Sequence, residues 1–160
     1  MSDQAAVSAE SERDPEIPFN LTFRGVKTED FNFVLSSWMK SYRDTKRTMK
    51  NPVFFAGHQR LIAELGSRRN MIIGCDADAP EWIVGFACGQ MLDDGRILVD
   101  YVYVKQPYRE RGIAKALVAA LGWSAGMGVV ATHWNRVCNS LSQRFLIEHD
   151  EYYLMLGAEE

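Results

Sequence analysis

The chain predicts an α+β domain: a central mixed, mostly antiparallel sheet of about six strands flanked by about four helices. Three observations point there. Short apolar stretches with strand-like alternation recur between Leu21 and Leu156. Stretches with apolar residues three and four apart, such as Phe31, Val34, Leu35 and Trp38, fall between them. The strands also come in runs, as across residues 71–104, rather than one per helix.

Residues 1–18 are polar and acidic, with Asp3, Glu10, Glu12, Asp14 and Glu16, and Pro15 and Pro18 close the segment. A flexible tail is expected there, and residues 19–160 form the domain. Leu21 to Val26 alternates and predicts a first strand. Thr28 is the expected N-cap of a helix whose inner face holds Phe31, Val34, Leu35 and Trp38. A second helix is expected from about Pro52 to Leu65, capped by Asn51, with proline at its first position. Met71 to Cys75 reads as a strand, Asp76 to Pro80 as a turn and Trp82 to Met91 as a longer strand. Asp93-Asp94-Gly95 is a hairpin loop into an apolar strand ending near Val104. A helix opens on Gly112 and presents Ile113, Leu117, Ala120 and Leu121 as one stripe. Gly126-Met127-Gly128 breaks the chain before a strand over Val129 to Trp134. Asn139 to Glu148 is expected to be helical, with Leu141, Phe145 and Leu146 facing in, and Tyr152 to Leu156 to be a final strand.

At 160 residues and 47% hydrophobic content, one core and one domain are expected. The net charge of −3 argues against a general nucleic-acid binder. No apolar run reaches the length of about 18 residues that a membrane helix needs. The N-terminus lacks a secretion signal's basic-then-apolar pattern. Cys75, Cys88 and Cys138 are unevenly spaced, which fits free thiols and a cytoplasmic location. The histidines and cysteines show no zinc-ligand spacing, so no metal is expected.

The chemistry concentrates at residues 96–117, where the apolar strand runs into a basic turn and then a helix. The first N–H groups of a helix lack carbonyl partners and carry the positive end of its dipole. A diphosphate placed there satisfies several donors at once. Gly112 has no side chain to block backbone approach, and Ala114 keeps the next exposed position small. Arg109 and Arg111 add donors suited to phosphate oxygens.

Arg109-x-x-Gly112-x-Ala114 resembles the (Gln/Arg)-x-x-Gly-x-(Gly/Ala) signature of the GNAT N-acetyltransferases, and Val102-Tyr103-Val104 is similar to the strand preceding it. One departure is Gln106 where the family often has proline, with Pro107 following. The resemblance covers residues 20–156 and implies the GNAT fold. It implies acetyl-coenzyme A as co-substrate, bound by Val102, Tyr103, Val104, Arg109, Glu110, Arg111, Gly112, Ile113, Ala114 and Lys115, with Asn139 opening the last helix. It further implies an amine acceptor, on a small molecule or a protein, that attacks directly in a ternary complex. Lys40, Arg43, Lys46, Arg47 and Lys50 cluster where the family walls its acceptor site, though such a run also reads as a solvated face. Asn139 to Leu146 also resembles GNAT-like proteins of tailed bacteriophages, some of them virion components. That gives the alternative of a GNAT-fold interaction or virion protein with little turnover. The family usually adds a strand beyond the last one expected here. Its place is expected to be empty or filled by a partner, and the unpaired edge points to a homodimer.

Direct attack needs a neutral amine, a stabilised oxyanion and a protonated thiolate. Neutralising an amine of pKa near 10.4 at pH 7 costs about 4.6 kcal/mol, which a positioned base shares. In the family a carboxylate on the motif strand often serves. Asp100 is the only charge between Leu98 and Val104, and alternation places it on the face of Leu98, Val102 and Val104. Desolvation there is expected to raise its pKa. His133 is the second candidate base. The resemblance implies an oxyanion donor among the N–H groups near Tyr103 or Val104, where the family's strand bulges. The family's thiolate acid is often a tyrosine on the last helix, where this chain has Phe145 and Leu146. Tyr152, or its neighbour Tyr153, is the expected substitute.

Overall fold

The computed structural model describes residues 20–45, 52–133, 138, 141–143 and 145–157. Six strands form one sheet in chain order: β1 (Leu21–Gly25), β2 (Asn70–Asp76), β3 (Ala79–Met91), β4 (Ile97–Val104), β5 (Val129–Ala131) and β6 (Ile147–His149). The pairings from β1 through β4 are antiparallel, whereas β4–β5 and β5–β6 are parallel. Three α-helices lie among the described residues: α1 (Phe31–Thr45), α2 (Pro52–Arg68) and α3 (Ile113–Leu121).

Strand alternation sorts the side chains onto two faces. Ile73, Phe86, Cys88, Tyr101 and Tyr103 pack against Val34, Trp38, Ile62 and Leu65 of α1 and α2. Ile72, Ala87, Val102 and Val104 pack against Ile113, Leu117 and Leu121 of α3. Leu117 is fully buried, which contributes about 1.5–3 kcal/mol. It lies over Gly74 and Gly85, where an added Cβ would stand 3.4 and 3.3 Å from its methyl carbons. The missing side chains let α3 approach the sheet closely.

β4 carries an irregularity that the sequence did not reveal. Gly89 pairs with Val99 and the preceding Cys88 pairs with Tyr101, so Asp100 is an extra residue, a β-bulge. Asp100 and Tyr101 therefore share the α1–α2 face. The expectation that Asp100 shares a face with Val102 and Val104 is corrected, because the bulge shifts the alternation by one residue.

Local chemistry shifts several other elements. Thr28 is not the cap of α1; a 3₁₀ turn over Thr28–Asp30 precedes it. The Asp30 N–H, which a Thr28 cap would have accepted, donates instead to Lys27 O at 2.9 Å, and the Asp30 carboxylate accepts the Lys27 N–H at 2.7 Å and both Arg24 Nη atoms at 2.7 and 3.0 Å. β3 starts at Ala79, before the expected Trp82, because the turn after β2 is tight, with Asp78 N–H on Asp76 Oδ1 at 2.9 Å. Trp134 and Asn139 lie outside the described residues. The helix expected through Glu148 stops earlier. Helical bonds join Ser142 to Cys138 and Phe145 to Leu141, and then Ile147–His149 adds to β5 as a strand. Leu146, expected inside, is 72% exposed.

The expected strand over Tyr152 to Leu156 is a 3₁₀ turn, Glu151–Met155. Asp150 caps it by accepting the Tyr152 N–H at 3.0 Å. Its carbonyls are turned toward two arginines at the end of α2. Arg68 donates to Leu154 O at 2.8 Å, and Arg69 donates to Tyr153 O at 2.7 Å and Leu156 O at 2.8 Å. Carbonyls held this way are not available for a strand ladder. Among the described residues, no helix is long and apolar enough to cross a membrane.

Candidate active site

The basic turn begins where β4 ends. Lys105 N–H donates to Val84 O at 2.8 Å, and a 3₁₀ turn over Gln106–Tyr108 follows. Two residues in the left-handed region, Glu110 (φ 66°) and Gly112 (φ 79°), bring the chain round into α3. No side chain caps that helix. A Cβ added at Gly112 would meet nothing within 4 Å, so the space beside Gly112 itself is uncrowded. Ala116 N–H donates to Gly112 O at 3.0 Å, which leaves the N–H groups of Ile113, Ala114 and Lys115 ahead of the helical ladder. Ile113 buries its side chain in the core and Ala114 is exposed.

The charges around this turn are not all directed outward. Arg109 folds back, donating from Nε to Val104 O at 2.7 Å with its guanidinium 5.6 Å above the Tyr103 ring. Lys115 Nζ lies 6.0 Å from the Trp123 ring. Glu110 is exposed and Arg111 half-buried.

β5 pairs with β4 only over Ile97, Leu98 and Val99, and the last bond is Thr132 N–H to Val99 O at 3.3 Å. Residues 100–104 of β4 run on without β5. Alternate residues of a strand present their backbone groups to opposite edges. Lys105 N–H faces β3, so Tyr103 does too, while Val102 and Val104 face the opening that, among the described residues, no strand covers. Of the two expected oxyanion donors, Val104 therefore faces the opening and Tyr103 does not. The bulge is at Asp100, earlier in the strand than Tyr103 or Val104.

At the apex of the opening lies a polar cluster. The Asp100 side chain has no exposed surface. Its Oδ2 accepts from Arg69 Nε at 2.8 Å and its Oδ1 from the Thr132 hydroxyl at 2.8 Å. His133 Nδ1 lies 3.0 Å from Thr132 Oγ1 and 3.0 Å from the Asp100 carbonyl oxygen. Burial pushes the His133 pKa down; Asp100 opposes that shift, and His58 and His149 add to it. The His133 ring stands edge-on to Trp38 at 6.1 Å, and Trp38 stacks on Tyr101 at 4.8 Å.

The fold thus unites Asp100 and His133. Tyr152 is 78% exposed on the C-terminal turn, and Tyr153 turns its hydroxyl toward Arg96, which donates from Nη2 at 3.0 Å. Arg69, Thr132 and Trp38 join this cluster; the sequence marked Trp38 only as an inner-face residue of its helix and did not single out the other two. The only cue to Arg69 was an arginine standing directly before a buried strand. A hollow lined by Arg96, Gly128, Val129, Leu146, Ile147 and Glu148 borders none of the candidate residues.

Residues 33–148 match the model of the acetyltransferase (GNAT) family. The chain belongs to the GNAT acetyltransferase family. Its fold is similar to that of a GNAT-family acetyltransferase from Staphylococcus aureus Mu50, at 15% identity and TM-score 0.44, covering 64% of this chain and 63% of that one. The chain thus spans less than two thirds of that relative's length. A Clostridium difficile 630 protein described as a possible acetyltransferase gives 12% identity and TM-score 0.50, over 77% and 86% of the two chains. The PaiA N-acetyltransferase of Thermoplasma acidophilum, solved with coenzyme A, gives 16% identity and TM-score 0.43, over 63% and 69%. No curated protein matches the sequence.

Proposed function

We propose that this chain transfers the acetyl group of acetyl-coenzyme A to an amine by direct attack in a ternary complex. One observation carries the reading: the open strand edge of β4 connects two features that such a thioester requires. At one end are the uncapped helix start and the left-handed Gly112, suited to a pyrophosphate. Between lie the outward backbone groups of Val102 and the outward N–H of Val104, whose carbonyl Arg109 holds, suited to an extended amide-bearing arm. At the other end is the buried polar apex around Asp100 and His133.

The cradle in this reading comprises residues 102–104 and 109–115. Ile113 acts through its backbone alone, and Arg109 keeps the end of β4 positively charged. Asn139 is assigned to it by resemblance only. The amine forms the new C–N bond, an oxyanion develops on the former carbonyl, and the C–S bond breaks to release the thiol. Preorganised N–H donors on the open edge suit that oxyanion. The acceptor is an amine on a small molecule or a protein, and a homodimer through the β6 edge is part of the same proposal.

Calorimetry with acetyl-coenzyme A tests the cradle. The wild type binds, and Gly112→Glu loses most of the affinity by adding strain and a like charge. Unchanged affinity in that variant would count against the assignment. A second reading, a GNAT-fold interaction protein without turnover, is favoured by the engagement of the Asp100 carboxylate with Arg69. Thiol release in the presence of acetyl-coenzyme A and a panel of amines separates the two.

A further inference from the structure

We infer that Asp100 is a positioning residue: its buried carboxylate, held by Arg69, clasps Thr132 at the fork where β5 parts from β4, and so sets the opening along which the thioester arm lies. This deepens the acetyl-transfer reading given above and rests on it.

The backbone alone holds the fork weakly. β5 has only three residues, and its register with β4 ends at Val99 and Ala131. The last rung, Thr132 N–H to Val99 O, is 3.3 Å long, beyond the usual range of about 2.7–3.2 Å. One residue further along β4, the Thr132 hydroxyl donates to Asp100 Oδ1 at 2.8 Å. A hydrogen bond to an ionised acceptor is roughly twice as strong as one between neutral groups. Thr132 is 2% exposed and Asp100 3%, so water competes for neither group. The side-chain clasp is the stronger hold at this point.

The carboxylate serves as a fixed point because Arg69 is itself fixed. Arg69 keeps its charge and directs its nitrogens to three acceptors: Nε to Asp100 Oδ2 at 2.8 Å, Nη1 to Leu156 O at 2.8 Å and Nη2 to Tyr153 O at 2.7 Å. A planar guanidinium tied at every nitrogen has little freedom to swing. Arg69 thereby links the C-terminal turn to the bulge, and Asp100 links the bulge to Thr132.

The bulge makes this arrangement possible. With unbroken alternation Asp100 would share the α3 face with Val102 and Val104, among Ala87, Ile113 and Leu117. An unpaired carboxylate is costly to bury in such surroundings. The extra residue turns it to the α1–α2 face, where the arginine that follows α2 meets it.

This role is distinct from that of a base. Oδ1 and Oδ2 each already accept a hydrogen bond, and the side chain has no exposed surface with which to meet an amine. The carboxylate orders the opening, and no bond is made or broken at it.

Two ligands separate positioning from a general loss of structure. In the acetyl-transfer reading acetyl-coenzyme A spans the opening, whereas its nucleotide half, a phosphorylated adenosine diphosphate, reaches only the helix start at Gly112. Thr132→Val keeps the side-chain shape and the Arg69–Asp100 pair but removes the hydroxyl. By calorimetry and kinetics it is expected to bind the nucleotide half as wild type does, to bind acetyl-coenzyme A more weakly, and to lower kcat about 10²-fold. Thr132→Ser is expected to restore both losses. Asp100→Asn is expected to weaken acetyl-coenzyme A binding and kcat together. A loss of kcat with acetyl-coenzyme A affinity intact would mark a proton-transfer role for Asp100 and overturn the inference. Hydrogen exchange reads the fork without reference to activity. In Thr132→Val and Asp100→Asn the N–H at position 132 is expected to lose protection, while the amides joining β2 to β3 keep theirs. Wild-type protection in both variants overturns the inference, as does a Thr132→Val protein with undiminished kcat and acetyl-coenzyme A affinity; acetyl transfer stands in either case. Loss of nucleotide-half affinity alongside the rest also overturns it, because the damage is then general. A wild type that neither binds nor turns over acetyl-coenzyme A overturns the underlying reading, and hydrogen exchange still decides whether the carboxylate holds the fork.

Discussion

Arg69 Nε lies 2.8 Å from Asp100 Oδ2, and neither side chain has exposed surface. Removing one member of a buried ion pair strands the other charge, which typically costs about 3–5 kcal/mol. Arg69 also holds the carbonyls of Tyr153 and Leu156, so its loss frees the C-terminal turn as well. Arg69→Met and Asp100→Leu are each expected to lose about this much stability in urea denaturation. The double variant is expected to lose clearly less than their sum, because the uncompensated charge is gone. Additive losses would show that the two groups are not coupled.

Gly85 and Gly89 on β3 allow close backbone approach. A Cβ at Gly85 would collide with Tyr103 O, and one at Gly89 would collide with Leu98 O. The obstructing atoms are strand backbone and cannot rotate away. Gly85→Ala and Gly89→Ala are each expected to destabilise by about 1–3 kcal/mol or more. Gly57, inside α2, has nothing within 4 Å of its added Cβ. Gly57→Ala is expected to stabilise by about 0.5–1 kcal/mol. Thermal melts of the three variants check the contrast in sign.

The Arg24–Asp30 pair gives a pH signature. The hydrogen bond from Arg24 is the largest influence holding the Asp30 carboxyl below its ordinary range; the Lys27 N–H adds to it, and burial opposes it. A folded-state pKa below the unfolded value means that the unfolded chain binds the proton first. The contribution is therefore fully present above the unfolded pKa, about 3.9, and is lost as pH falls through the lower folded value. Asp30→Asn is expected to flatten that part of the stability–pH curve and leave the neutral-to-alkaline part parallel to wild type. Urea midpoints measured across the acid range read this directly.

At Gly112, strain and charge can be separated. The residue needs φ near 79° but has open space at its Cβ position. Gly112→Ala is expected to cost about 1–2 kcal/mol of stability through the left-handed backbone alone, with only a small change in acetyl-coenzyme A affinity. Gly112→Glu is expected to lose the affinity as well. Paired melts and calorimetry distinguish the two effects.

The sequence disclosed the periodic parts of the fold. Apolar alternation located β2, β3 and β4, and helical spacing located α1 and α3. Gly112 was legible because a strand–turn–helix junction with two flanking arginines leaves few alternatives. Asp100 was legible as an oddity, a lone charge in an apolar strand, but its surroundings were not. The bulge arises from pairing with Gly89, and the ion pair from an arginine 31 residues away. Local patterns cannot report contacts of that separation. The C-terminal turn was misread for a related reason: Tyr-Tyr-Leu-Met favours a strand locally, and tertiary bonds from Arg68 and Arg69 decide otherwise.

The parallel join of β4 and β5 also bears on how the molecule assembles. Strands β2, β3 and β4 follow one another through short connections, whereas Ile97 meets Val129 only after the whole of α3 has intervened. Loop closure makes such distant pairings the later events. The seam expected to close late is thus the same seam from which the opening between the strands departs. A molecule lodged there would act as a fastener between the two sides of this seam, raising the thermal midpoint even when no amine is present to react.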